Sequence, residues 1–584
     1  MRPSSLVTLA AFGVMTSLAC VTPALAGWSA APVEVQPSNV HVPHVALAPD
    51  GQGGTVVVWQ EQTATGGQLR ARHLMVTGDL DPAWPAPVVV STRDITRSAL
   101  GAVTDGAGGA FVWWTEGKQL LLTRVTASGA IASGWAATGK ALGSFWRPGH
   151  RPIVKPDGTG GVYVAWIATS LLSTSVTGTL RVARLMGTGA AVTGWPAGGR
   201  SFGPVGLQDP TVVSGGLDVA ADGSAWLAWV TADKDSDLVA RPGEVRALRL
   251  QSNGLPALGW GPGGVVSGPF DATVLNAVNG SGYLPTMQHL VAVASDGGTG
   301  AYVLAGMSTV DWYSGGLEAK FLHLDGVGGL VAPFTTPVSM DIIRTGPTVG
   351  AEASLQLIAD RRGGAYLCIP AEFTDSEPTM RIACVPAGSA TIPWGWFKNQ
   401  YGLEMEPRGD GGLLVANLKP SGSIGAWDTN AFVSVSNLPA GGGYSESQRS
   451  YYSTRYGDVG VAATGDGGAI FAWSQELDRH GVYALRIGLA GAVTDVTPPA
   501  LSRPTLSARF DRARGVVARL AVPGGGGSAE LALLDLQGRA FSVLRLGSGS
   551  EGAFPGSRDL VPGVYFVRAL SGKARFSARV VVVR

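Results

Sequence analysis

The residues best suited to chemistry are scattered, and they fall into three groups. The first is Asp233-Lys-Asp-Ser-Asp237 followed by Glu244. Asp233, Asp235, Asp237 and Glu244 place oxygen ligands at positions 1, 3, 5 and 12 of a calcium loop. Position 6, where glycine makes the sharp turn, is Leu238, so a solvated acidic loop accounts for the same residues. The second group is His44, His150 and His289, each six or seven residues before an Asp-Gly pair. A metal or catalytic cluster would need these imidazoles to converge; separate polar rim positions are the simpler expectation. The third is aromatic: Asp311-Trp312-Tyr313, and Tyr451 and Tyr452 near Arg449 and Arg455, rings able to stack on a sugar or a peptide on the binding face; edge-strand packing is the simpler expectation, with part of 444–456 as the outer strand of a seventh blade.

Acids suited to bond cleavage are sparse. Asp218 and Glu404 stand alone in apolar runs, whereas glycoside hydrolysis needs two carboxylates flanking one bond. Gly-x-Ser-x-Gly, His-Glu-x-x-His and the phosphate loop are absent. The expectation is therefore a binding or scaffolding protein without catalysis, with a glycan-active hydrolase using acids at a channel mouth as the alternative. No cofactor is required, and calcium is the one candidate ion.

The elements that must hold these residues repeat. Pro49-Asp-Gly-Gln-Gly-Gly-Thr-Val-Val-Val-Trp59 matches Asp105-Gly-Ala-Gly-Gly-Ala-Phe-Val-Trp-Trp114 and Pro156-Asp-Gly-Thr-Gly-Gly-Val-Tyr-Val-Ala-Trp166. Asp-Gly units recur near Asp50, Asp105, Asp157, Asp222, Asp296, Asp360, Asp410 and Asp466. Each is flanked by apolar runs and followed by an alternating strand such as Leu69-Arg-Ala-Arg-His-Leu, then by a Gly turn and Trp84, Trp135, Trp195 or Trp260. Four antiparallel strands per unit describe an all-β propeller of about eight blades, with seven compatible because the units at Asp360 and Asp410 are degenerate. The last unit lacks a fourth strand, and residues 27–36 match one, so the N-terminal strand should complete the ring. The Asp-Gly turns then lie on one face, and the binding face is the opposite one, whose connections vary in length.

Glycine supplies 85 of 584 residues and charged residues only 15%, as many short strands and tight turns require. A net charge of +1 offers no electrostatic case for nucleic acid. Arg2, the apolar stretch 6–18 and Ala24-Leu25-Ala26 read as a signal peptide over 1–26, and no later stretch has the length of a membrane helix. An exported chain, secreted or at an outer-membrane surface, with an extracellular glycan or protein ligand, is the expectation. Cys368 and Cys384 lie on neighbouring strand-like runs, where export makes a disulfide the expected state and two buried thiols the alternative.

The propeller occupies 27–497 and a linker 498–504; the pattern then changes, and 505–584 reads as a small β-sandwich. Leu534-Asp-Leu-Gln-Gly-Arg539, Leu560-Val-Pro-Gly-Val-Tyr-Phe-Val567 and a final Val-rich strand occur in order. In these the chain resembles the C-terminal sorting domains of type IX secretion cargo and the related FlgD Ig-like modules. The usual opening Pro-Asn-Pro is replaced by Arg503-Pro-Thr-Leu-Ser. The resemblance implies delivery across an outer membrane, with secretion machinery as partner. The propeller is similar to repeats of secreted bacterial surface proteins.

Overall fold

The computed structural model describes residues 32–487 and 505–582, apart from interruptions of which the longest are 169–176, 207–214, 231–243, 270–285, 346–355, 421–429 and 439–450. The chain divides into two compact units, Met1–Ala492 and Val493–Arg584. Among the described residues no helix is long and apolar enough to cross a membrane.

In the first unit the described residues form eight four-stranded antiparallel sheets, the blades of a β-propeller. Blade 1 runs Val45–Pro49, Thr55–Thr63, Gly66–Leu74, Val88–Ser91. Blades 2 to 7 follow in chain order, with innermost strands Leu100–Thr104, Ile153–Pro156, Gly215–Val219, Thr286–Ser295, Gln356–Ala359 and Tyr401–Pro407. Blade 8 takes Val459–Ala463, Ala469–Gln475 and Gly481–Ile487 from the end of the unit and its outermost strand, Val33–Pro37, from the beginning. Val33 stands opposite Ala484 and Pro37 opposite Gly481. Each innermost strand borders those of both neighbouring blades, from blade 1 round to blade 8 and back. The ring is thus closed by a strand from the other end of the unit, which leaves blade 8 no unpaired outer edge at that position.

The repeat motif explains how one blade holds the next. In blade 3, Asp157 Oδ1 accepts the backbone N–H groups of Thr159 and Gly161, both at 2.8 Å, which fastens the turn between the first two strands. Gly158 and Gly160 have φ of +73° and +88°, open to glycine and strained for other residues. Gly161 is needed for space: a Cβ there would sit 2.3 Å from Leu185 O. The other carboxylate oxygen, Oδ2, accepts Arg184 Nε at 3.0 Å, from the third strand. Arg184 Nη1 then donates across the seam to Ser252 O of blade 4 at 2.9 Å, and Trp195 Nε1 donates to the same carbonyl at 2.8 Å. Arg124 and Trp135 share Gly187 O in the same way, and Arg249 and Trp260 share Gly326 O. Tyr163 adds a hydroxyl bond to Gly223 O of blade 4 and packs edge-on against Trp195, with ring centroids 5.7 Å apart. Asp, Arg, Gly and Trp of the repeat therefore form one latch on one face.

Two open readings are decided here. Cys368 and Cys384 are free. Register sets Cys368 opposite Ile382 and Cys384 opposite Tyr366, a diagonal relation. Diagonal neighbours stand about 7–8 Å apart, beyond the usual span of a disulfide. Tyr451 and Tyr452 belong to the outermost strand of blade 7, opposite Val433 and Phe432, which is the edge-strand alternative and not the binding face.

The second unit is a sandwich of a three-stranded sheet and a four-stranded one, the latter ordered Ala540–Gly547, Ser528–Leu534, Gly563–Ser571, Ala574–Val582. Leu531, Leu533, Tyr565, Val567 and Val580 lie in its core. In the Leu-Asp-Leu-Gln-Gly-Arg stretch, Asp535 Oδ1 accepts Arg539 N and Oδ2 accepts Arg539 Nε, both at 2.8 Å. Asp535 and Arg539 thus flank the connection between Ser528–Leu534 and Ala540–Gly547.

The Arg184 side chain is 7% exposed and that of Asp157 1%, so removing the cation leaves a buried carboxylate without its partner. Arg184→Met should cost about 3 kcal/mol in urea unfolding. Trp195→Phe, which removes one donor to Ser252 O, should cost nearer to about 1 kcal/mol. Equal, negligible losses would show that the latch does not hold the seam.

Candidate functional site

The latch divides the blades' partner residues into three kinds. The residue facing the turn aspartate is Arg124, Arg184 and Arg249 in blades 2, 3 and 4, but His73 in blade 1 and His323 in blade 5. In blade 6 the corresponding register position, opposite Tyr366, is Cys384. Burial pushes the thiols of Cys384 and Cys368 up. His73 is held between two carboxylates: Nε2 stands 3.0 Å from Asp50 Oδ2 and Nδ1 2.7 Å from Asp81 Oδ2. Burial alone would lower the imidazole from its ordinary 6.5, but hydrogen bonds to Asp50 and Asp81 outweigh it and hold it above that value. For Asp50, burial works to raise the carboxyl, and the bonds from His73, Gln52 and Gly54 hold it below its ordinary range. His323 has Asp296 on Nε2 at 3.0 Å, with Tyr302 stacked on its ring at 4.0 Å.

These bonds commit the turn face to holding the ring together. The innermost strands offer different chemistry. The last-but-one residue of each innermost strand forms a ring of eight positions: Ala48, Val103, Lys155, Asp218, Ala294, Ile358, Glu406 and Ala462. Five are apolar. Asp218 is occupied structurally, accepting Ser295 N of blade 5 at 2.7 Å and lying 3.5 Å from Lys155 Nζ of blade 3. Glu406, half-buried in blade 7, has Glu404 two residues before it on the same strand, opposite Ala416 where Glu406 is opposite Leu414. Residues two apart share a strand face, with Cα atoms about 6.7 Å apart. That gives one innermost strand two acidic residues two positions apart, the residue type glycoside cleavage draws on.

The other expected residues fare unevenly. Asp233, Asp235, Asp237, Asp311, Trp312, Tyr313, His150 and Arg455 lie outside the described residues. Glu244, from the calcium pattern, pairs with Arg246 at 2.9 Å. Among the described residues no group of three His, Cys, Asp or Glu is placed to hold a metal ion. His44 precedes the innermost strand of blade 1, and His289 lies within that of blade 5 opposite Met307. Sequence reasoning found Glu404 but missed Glu406, although the alternation Glu-Met-Glu in Tyr401–Pro407 was its signal. It also missed His73 and His323 as latch partners. Each ends its strand as a basic residue followed by Leu, as Arg184 and Arg249 do, but the hairpin loops before them vary.

No family model matches the chain, and no curated protein sequence matches it. Solved structures do resemble it. The polysaccharide lyase Uly1 aligns at 12% identity over 65% of this chain and 88% of its own, with a TM-score of 0.34. A polysaccharide lyase of family PL25, an ulvan lyase bound to -[GlcA(1-4)Rha3S]-, aligns at 9% over 78% and 95%, with a TM-score of 0.36. A GH43_1 enzyme from Xanthomonas citri aligns at 11% over 62% and 92%, with a TM-score of 0.26. These are enzymes, and their names place them among proteins that act on glycans. The expectation of a propeller without catalysis is corrected accordingly. The physical reason is that chemistry belongs to the side chains a fold presents, so a missing linear motif does not exclude a site. Likeness at this level concerns fold, and the chemistry rests on the chain's own residues.

His73 supplies a pH test. A group with a raised folded pKa stabilises fully below its unfolded value and loses that contribution as pH rises through the folded value. The melting temperature should therefore fall as pH is raised from about 6 through the His73 titration. His73→Gln should melt lower at the acid end and fall less steeply. Parallel melting curves for the two proteins would show that this latch carries no pH dependence.

Proposed function

We propose that the propeller is a glycan-active enzyme and that Glu404 and Glu406 are its working carboxylates. One observation carries this: two acidic residues, two apart on the innermost strand of blade 7, where the last-but-one position of most other blades is apolar. Two carboxyl groups can serve hydrolysis, one protonating the leaving oxygen and the other assisting attack on the sugar. Glu404 and Glu406 lie in the half of their innermost strand that leads to the turn face, so substrate reaches them along the channel.

The test is a panel of neutral, uronate-containing and sulfated polysaccharides incubated with the purified chain. Hydrolysis releases reducing ends alone; lyase chemistry releases reducing ends together with the ultraviolet absorbance of an unsaturated sugar. Reducing ends are expected, with Glu404→Gln and Glu406→Gln each lowering the rate by about 100-fold or more at unchanged melting temperature. Absorbance that persists in both variants would move the chemistry elsewhere, and no release from any polymer would end the enzymatic reading.

The second unit is assigned to export under the same reading, with residues 1–26 as the first signal and the module as the second. Its support is the ordered set of motifs at 534–539 and 560–567 and the final strand. Deleting 503–584 should leave the propeller in the periplasm by fractionation. Normal release of the truncated chain would overturn the assignment.

A further inference from the structure

The second unit exposes an edge that the interior of its sandwich does not explain. Ala540–Gly547 is the first strand of the four-stranded sheet and pairs on one side with Ser528–Leu534. Among the described residues no strand pairs with its other side. The edge is eight residues long, contains no proline, and carries one charge, Arg545. Native sheets usually protect such an edge with lysine, proline, a short length or a bulge; here a bulge falls at Phe541, between Ala540 opposite Leu534 and Ser542 opposite Leu533, and from Ser542 on the pairing is regular. The edge presents large apolar groups: Phe541 is 57% exposed and Val543 50%. The even positions serve the core. Leu544 packs against it, Leu546 is buried in it, and Ser542 stands opposite the core residue Leu533.

We propose that this edge pairs with the same strand of a second copy, antiparallel, about a two-fold axis at Val543. The occupant follows from the order of side chains along the edge. With Val543 opposite Val543, Phe541 of one copy stands opposite Arg545 of the other, twice. Each pairing sets a guanidinium beside an aromatic ring, a favourable cross-strand combination. Shifting the register by two residues one way brings Arg539 opposite Arg545, two like charges. Shifting it the other way leaves Phe541 opposite Gly547. Every antiparallel pairing of two identical strands is two-fold symmetric; the register about Val543 is the one that sets Phe541, Val543 and Arg545 each opposite a complementary side chain. The result is a continuous eight-stranded sheet across two copies.

The test uses the whole purified chain. Sedimentation from micromolar to hundreds of micromolar should show a monomer–dimer equilibrium, and Val543→Lys should abolish it without lowering the melting temperature. Val543→Cys treated with a short bifunctional maleimide should give a covalent dimer. Ser542→Cys, and the unsubstituted chain with Cys368 and Cys384, should not. A chain that sediments as a monomer throughout overturns the proposal, as it would if the edge took a strand from a different protein. Cross-linking equal at positions 542 and 543, or none at 543, overturns it as well.

Discussion

The structure depends on a carboxylate that fastens a turn with one oxygen and holds a cation with the other. Asp157 accepts two backbone N–H groups on Oδ1 and Arg184 on Oδ2, and Arg184 donates onward to the next blade. A blade cannot bury both of its faces alone, so each interface must be made the same way all round a closed ring. The latch does this with residues that recur in the sequence. Where its third member changes to His73 or His323, the bond to the aspartate survives, and a neighbouring ring carries the bond across the seam. In blade 1 the crossing bond runs from Trp84 to Ala127 O, and in blade 5 from Tyr302 to Gly363 O.

Closure separates the faces by function. The turn face is filled with bonds that the ring needs, so changing it costs stability. The opposite face and the channel are released from that duty. In the inner ring the blades can differ, and they do: small and aliphatic residues at five positions, a salt-linked Asp218 and Lys155, and Glu406 beside Glu404. A scaffold whose stability is carried elsewhere can tolerate two like charges on one strand, and such pairs are where acid–base chemistry becomes available.

The second unit treats its edges differently. The propeller closes by taking its N-terminal strand into blade 8. The sandwich has no such device, and Ala540–Gly547 stays open on one side among the described residues. Its alternation of Phe541, Val543 and Arg545 outward with Leu544 and Leu546 inward is that of a strand with two apolar faces to satisfy.

The blade count, the closing strand and the turn face were all legible in the sequence, because turns and apolar alternation are local and the repeat multiplies a weak signal eight times. The disulfide expectation failed because a spacing along the chain does not determine register: one step of two residues turns a direct pair into a diagonal one. The site was half legible. Glu404 was visible as an acid in an apolar strand, but its meaning depends on Glu406 sharing its face and on Asp218 already being bonded to two other blades. Such relations join residues far apart in sequence through a closed ring. Composition and periodicity specify the strands; only the closed tertiary structure decides which charges meet, because closure brings distant blades together.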